Sequence, residues 1–279
     1  MPELTETMIA TNGTRLNVAI SGEGAPIVLL HGFPHTWKVW FKMIPTLAEK
    51  HRVIAPDLRG LGASDRPTSG YDARNIASDI RGLLDALDEG AATVVALDAA
   101  VPPAFMLGLE HPHRVTQLAL MEGTIGRLPG AEGFFRAGAP WWFGFHAVPG
   151  LAEEVLLGHE PSYIDFFLHS GTARGRGVGD SLRDEFVAAY TGREALRAAF
   201  EHYRVMPINA DQIAKAISSA RLRVPTIAIG GGVVGPALAG QLEAVTDDLR
   251  SNLLPDVGHI IPLDAPEALL NILAPALIS

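Results

Sequence analysis

Apolar residues along this chain gather into short, nearly unbroken runs: Ile27–Leu30, Val53–Ala55, Thr93–Leu97, Gln117–Met121 and Thr226–Ile229. Each is too short for a helix, and the first three are each followed by a segment where apolar positions recur at helical spacing, near Trp37–Leu47, Arg74–Leu87 and Ala104–His111. Continuous apolar strands joined by helical crossovers predict an α/β fold, with a mostly parallel sheet covered on both faces. Upstream, Met8–Ser21 alternates around Asn12-Gly13, a hairpin signal. A short strand at Ser251–Leu254 ends the series. After Met121 the strand signal stops, to return only at Thr226. The intervening region, rich in glycine, arginine and aromatics, is patterned for helices alone. The chain therefore divides into a core, residues 1–124 and 221–279, and a helical insertion, residues 125–220. Within the insertion, the glycine-rich run Gly171–Gly179 is predicted to be a mobile loop.

The run Thr93–Leu97 ends in Asp98, flanked by small residues, and a helical pattern begins at once behind it. This is the layout of a nucleophile elbow, a sharp strand-to-helix turn that lifts one side chain above a sheet. Most such turns carry serine. A carboxylate there suits attack on an sp³ carbon bearing a leaving group, whereas a hydroxyl attacks a carbonyl. Asp98 has a second reading, as a capping residue opening a helix whose first turn holds Pro102 and Pro103.

Composition narrows the field. With 279 residues, 48% of them hydrophobic, the chain is long enough to bury a large core as one domain with an insertion. A net charge of −9 argues against nucleic acid or an anionic membrane as partner. The absence of cysteine excludes disulfides and thiolate metal sites. The N-terminal residues Met1–Met8 lack the basic and apolar regions of a signal peptide, and no apolar run reaches the roughly 18 residues of a membrane span. A cytoplasmic protein is expected.

Four segments together carry a resemblance: Ile27-Val-Leu-Leu-His-Gly-Phe-Pro34, Val53-Ile-Ala-Pro-Asp-Leu-Arg-Gly-Leu-Gly62, the Asp98 turn, and Asp256-Val-Gly-His-Ile-Ile-Pro262. From about Thr5 to Leu277 the chain resembles the α/β-hydrolase superfamily, in particular its epoxide hydrolase and haloalkane dehalogenase branch, where the nucleophile is aspartate. The resemblance implies an α/β-hydrolase fold whose helical insertion caps the strand ends, and no cofactor or metal. It implies Asp98 as nucleophile and His259 as the base that activates water against an alkyl–enzyme ester. The loop after the seventh strand, Gly230–Gly235, holds no acid, so the partner of His259 is assigned to the other position used in this branch, Glu122 after strand six. Backbone N–H groups of Phe33 and Ala99 would form the oxyanion hole, and His31 would support its loop rather than react.

Opening an epoxide also requires a proton donor on the cap. Phe200-Glu-His-Tyr-Arg204 resembles a cap motif carrying a tyrosine, which points to Tyr203. Its counterpart motif resembles Pro140-Trp-Trp-Phe-Gly-Phe-His146, where Trp142 stands at a position commonly held by histidine. An indole N–H can polarise the epoxide oxygen but does not readily give up its proton. Trp141, His146 and Pro34 are the expected substrate contacts, although Trp141 equally fits as aromatic filling. The elbow itself departs from the family, with Ala96, Leu97, Ala100 and Val101 where glycine and histidine are usual. That keeps other readings open: haloalkane dehalogenase, a non-hydrolytic isomerase or cyclase using Asp98 and His259 for proton transfer, or a silent binder. A fluoroacetate dehalogenase is disfavoured, because the arginines expected just after the nucleophile to grip a carboxylate are absent here. The expected partner is a small hydrophobic substrate, a polycyclic epoxide of bacterial natural-product metabolism among the candidates. A homodimer remains open.

Overall fold

A computed structural model describes residues 2–277. Eight strands form a single sheet in the order β1-β2-β4-β3-β5-β6-β7-β8: β1 Leu4–Thr11, β2 Thr14–Ser21, β3 Ala25–Leu30, β4 His51–Pro56, β5 Ala92–Leu97, β6 Val115–Met121, β7 Thr226–Gly230 and β8 Leu249–Leu253. β1 and β2 form the expected hairpin, closed by Asn12 and Gly13, both at positive φ (41° and 73°) as a two-residue turn of this twist requires. β2 also pairs antiparallel with β4, and every pairing from β4 through β8 is parallel. All six residues of β5 are buried, as are the last four of β6 and all of β7, which explains their unbroken apolar sequence.

Helices α1 Ile44–Leu47, α2 Ala73–Ala86 and α3 Val101–Glu110 connect the first strands. The single helix expected over 37–47 is instead a 3₁₀ turn, Trp37–Trp40, followed by the one-turn α1. Thr36 caps the turn by accepting from Lys38 N–H, and Pro45 restarts the helix at a position needing no donor. α3 begins three residues earlier than its apolar pattern suggests, because Pro102 and Pro103 occupy a first turn whose N–H groups have no helical partner.

Between β6 and β7 the chain leaves the sheet for the helices α4 Trp141–Ala147, α5 Leu151–Leu156, α6 Glu160–Ser170, α7 Asp180–Ala189, α8 Arg193–Arg204 and α9 Met206–Ile217. No strand forms there. The core resumes with α10 Ala237–Glu243, α11 Ile261–Asp264 and α12 Pro266–Leu273. The run 171–179, expected to be loose, is tied down: Asp264 accepts from Ala173 N–H at 2.6 Å and pairs with Arg176, while Gly171 O accepts from Ile260 N–H at 2.8 Å. Gly171 allows a close approach there, since a Cβ on it would lie 2.8 Å from Phe167 O, and Gly175 and Gly177 take positive φ, 67° and 69°.

Candidate active site

The site begins with strand register. Leu97 at the end of β5 and Met121 at the end of β6 are paired directly, so Asp98 and Glu122 leave the sheet side by side. Both carry left-handed backbone, φ 56° and 48°, a conformation that costs a non-glycine residue of order 1–3 kcal/mol and persists only where its surroundings enforce it. The elbow is therefore present despite Ala96, Leu97, Ala100 and Val101. The alanines and leucine are fully buried without displacing the turn, and the branched Val101 packs against Gly123.

The two carboxylate oxygens of Asp98 have different surroundings. Oδ2 accepts from Phe33 N–H at 3.0 Å, and Ala99 N–H also hydrogen-bonds the carboxylate. Oδ1 faces His259, whose Nε2 lies 3.8 Å away. The Phe33 loop can come this close only because of Gly32, where a Cβ would sit 2.4 Å from Asp98 Oδ2. His31 fixes that loop from below, fully buried, with Nδ1 donating to Gly32 O and Nε2 accepting from Leu58 N–H. Burial raises the Asp98 pKa above the usual carboxylate value, and the nearby His259 and the two N–H groups oppose that rise.

Behind His259 lies Glu122, completely buried, whose Oε2 is 3.1 Å from Nδ1. The acid-free loop after β7 has become its receptor: Gly231 N–H donates at 2.5 Å, Val234 N–H at 3.0 Å and Gly235 N–H at 3.2 Å. A Cβ on Gly231 would lie 2.5 Å from Gly258 O and 3.2 Å from the Glu122 carboxyl carbon, so only glycine fits. Burial pushes the Glu122 pKa up, but the His259 hydrogen bond and charge, with the donors of Val234 and Gly231, outweigh it and hold the group ionised. For His259, burial disfavours the charged ring; the hydrogen bond it donates to Glu122 and the charges of Asp98 and Glu122 reverse this and raise its pKa above 6.5.

Asp98, Ala99, Pro34 and His259 line a cavity of about 210 Å³ roofed by the insertion. Tyr203 and Trp142 both reach it. The Tyr203 ring stands edge-on to His146 (4.3 Å) and Phe33 (5.9 Å), and its pKa lies well above 10 through burial and then the charge of Asp98, so it is a phenol and a donor. Trp142 is held edge-on by Phe167 at 5.4 Å. Two expected substrate contacts are corrected. Trp141 sits on the outer surface, 54% exposed and outside the lining, because successive residues on α4 diverge by about 100°. His146 is fully buried beneath the lining, stacked on Phe200 at 4.1 Å with Nε2 bonded to the Tyr163 hydroxyl, and burial lowers its pKa to about 3. It supports Tyr203 rather than touching substrate. Sequence reasoning missed Phe167, His202, Met206 and Asn209, all of which line the cavity. His202 adjoins Tyr203 in the cap motif and was legible; the others carry no local signal.

This arrangement can be placed among known proteins. A profile of the alpha/beta hydrolase fold matches residues 25–266. The chain belongs to that family. It is similar to the soluble epoxide hydrolase of Corynebacterium sp. (strain C12), 28% identical across 96% of both chains, and to a haloalkane dehalogenase of Mesorhizobium japonicum, 29% identical over 84% of this chain and 78% of that protein. Among solved structures, that of the epoxide hydrolase CorEH without ligand superposes with a TM-score of 0.85 at 27% identity, covering 98% of this chain and 99% of that one. The chain spans about half the length of other curated epoxide hydrolases that it matches. It is thus an epoxide hydrolase-like α/β-hydrolase, and no helix among the described residues is long and apolar enough to cross a membrane.

Proposed function

We propose that this enzyme hydrolyses an epoxide of a small hydrophobic molecule to a diol through a covalent ester on Asp98. The observation carrying this reading is the divided Asp98 carboxylate, with Oδ2 held by backbone donors and Oδ1 turned toward His259. Oδ1 attacks an epoxide carbon and the C–O bond on the far side breaks. Tyr203 gives its phenolic proton to the departing oxygen while the Trp142 N–H polarises it. An alkoxide is a poor leaving group in an apolar pocket, so donors placed where its charge develops contribute several kcal/mol to the transition state.

Hydrolysis follows at the Asp98 carboxyl carbon. Neutral His259 takes a proton from water as the water oxygen attacks, and the negative charge gathers on Oδ2 between the N–H groups of Phe33 and Ala99. Collapse releases the diol and restores the carboxylate, and the proton on His259 returns through solvent to Tyr203. Alkylation removes the charge of Asp98, one of the causes that raise the His259 pKa. The ring therefore becomes a free base more readily in the intermediate that needs one.

Tyr203 favours this reading over dehalogenation, because a halide leaves without a proton. Incubation with panels of epoxides and haloalkanes decides between them. Diol without halide release is expected, with no diol formed by Asp98→Ala. Halide release with no diol from any epoxide would establish the dehalogenase instead.

A further inference from the structure

The catalytic cavity does not end at its own walls. Pro102, Thr124, Phe143, Met206 and Asn209 line it and equally line a second, more open groove of about 600 Å³. These five residues form a neck between the two spaces. Beyond it the groove is bounded by Leu128, Ala131, Phe135, Pro207 and Ala210, with Arg127 and Glu132 at its outer edge. The chamber above Asp98, about 210 Å³, is smaller than the roughly 300–1,000 Å³ of ordinary small-molecule sites; the two joined fall within that range.

At the neck stands one polar side chain with a defined orientation. The Asn209 Oδ1 accepts from Ala73 N–H at 2.7 Å, in the first turn of α2, which fixes which way the carboxamide points. Asn209 is only 9% exposed, and its Nδ2 has no hydrogen-bond partner among the described residues. That amide donor is not sealed in the protein but faces the open neck, so whatever fills the neck displaces its water and leaves it unmatched unless the entering group accepts from it. Apart from Thr124 the walls of the neck are apolar, so the entering group is an acceptor set within an apolar chain.

We propose that the substrate is an elongated epoxide whose ring lies at Asp98, whose chain passes the neck into the groove, and which carries an ether, hydroxyl or carbonyl oxygen accepting a hydrogen bond from Asn209 Nδ2. This rests on Asp98 being the nucleophile, and it adds length and one polar atom to the substrate. The groove then selects by chain length, and Asn209 selects by where along the chain the oxygen sits.

The test uses terminal epoxides of four to twelve carbons, and decyl-length epoxides carrying an ether oxygen at successive positions. In the unmodified enzyme kcat/KM should climb about three- to four-fold per methylene once the chain reaches the groove. One ether position should exceed the equal-length hydrocarbon about three- to ten-fold. Asn209→Asp keeps the acceptor for Ala73 N–H and replaces the donor by an oxygen; it should abolish that ether preference while leaving the length dependence. Ala210→Phe or Leu128→Trp narrows the groove and should cut the ratio of long- to short-chain kcat/KM at least about tenfold. Length-independent turnover by the unmodified enzyme overturns the subsite, and an ether preference that survives Asn209→Asp overturns the assignment to Asn209. Failure to turn over any epoxide is a different result: it removes the epoxide-hydrolase reading, and this proposal falls with it.

Discussion

Asp98, Glu122 and His259 form a charge balance that single substitutions can probe. His259 has a raised pKa, so the neutral ring needed as base is lost as pH falls through a value above 6.5. Glu122→Gln removes the hydrogen-bonded carboxylate and its charge, two of the causes of that rise. The acid limb of the rate profile should therefore move to lower pH, and turnover on the plateau should fall by about 10²- to 10⁴-fold. An acid limb that does not move would mean that another group sets it. On the cap, Tyr203→Phe deletes only a hydroxyl and should slow formation of the Asp98 ester about ten- to a thousand-fold, measured in single turnover. Trp142→Phe should cost less, since it removes a polarising N–H and no transferable proton. Asp98 and Tyr203 were readable because each sits in a short motif with its neighbours. Trp141 and His146 belong to the same motif as Trp142, and helix rotation sends them to other environments. Motif membership does not specify which face of a helix meets the cavity.

At the scale of elements, three adjacent parallel strands do the positioning. β5 delivers Asp98, β6 delivers Glu122, and the loop after β7 supplies the donors that hold Glu122. The absence of an acid after β7 was visible in the sequence and led to Glu122, but the positive role of that glycine loop was not, because backbone donors have no residue signature. Gly231→Ala tests it. The added methyl would fall 2.5 Å from Gly258 O, so the loop, Glu122 or the His259 turn must shift. Expected are a loss of about 1–3 kcal/mol of stability by thermal or urea unfolding and at least a tenfold drop in kcat. Full activity with unchanged stability would show that the loop has slack. The strands were legible because burial on both faces leaves them continuously apolar. The segment 37–47 was not, because the cap of Thr36 and the restart at Pro45 interrupt a pattern whose apolar spacing alone suits one helix.

Taken whole, the molecule is a sheet and a helical roof bound by specific bonds across their seam. Tyr190 donates to His35 O, Asn209 and Gln212 accept from the first turn of α2, and His202 Nε2 bonds Arg59 O. Arg59 in turn lies in a buried pair with Asp79. The run of helices between β6 and β7 was visible in the sequence as a gap in the strand signal. Its attachment was not, since these bonds join residues far apart along the chain with no shared pattern. Roof and sheet together leave Asp98 and His259 only partly exposed, 25% and 18% by side chain, at the bottom of the cavity. Covalent capture tests the ester on Asp98 most directly. His259→Gln, mixed with an epoxide that the unmodified enzyme hydrolyses, should alkylate but not release. Intact-protein mass spectrometry should then show one equivalent of substrate added, located on the peptide carrying Asp98. A His259→Gln enzyme that stays unmodified in mass and still produces diol would contradict it.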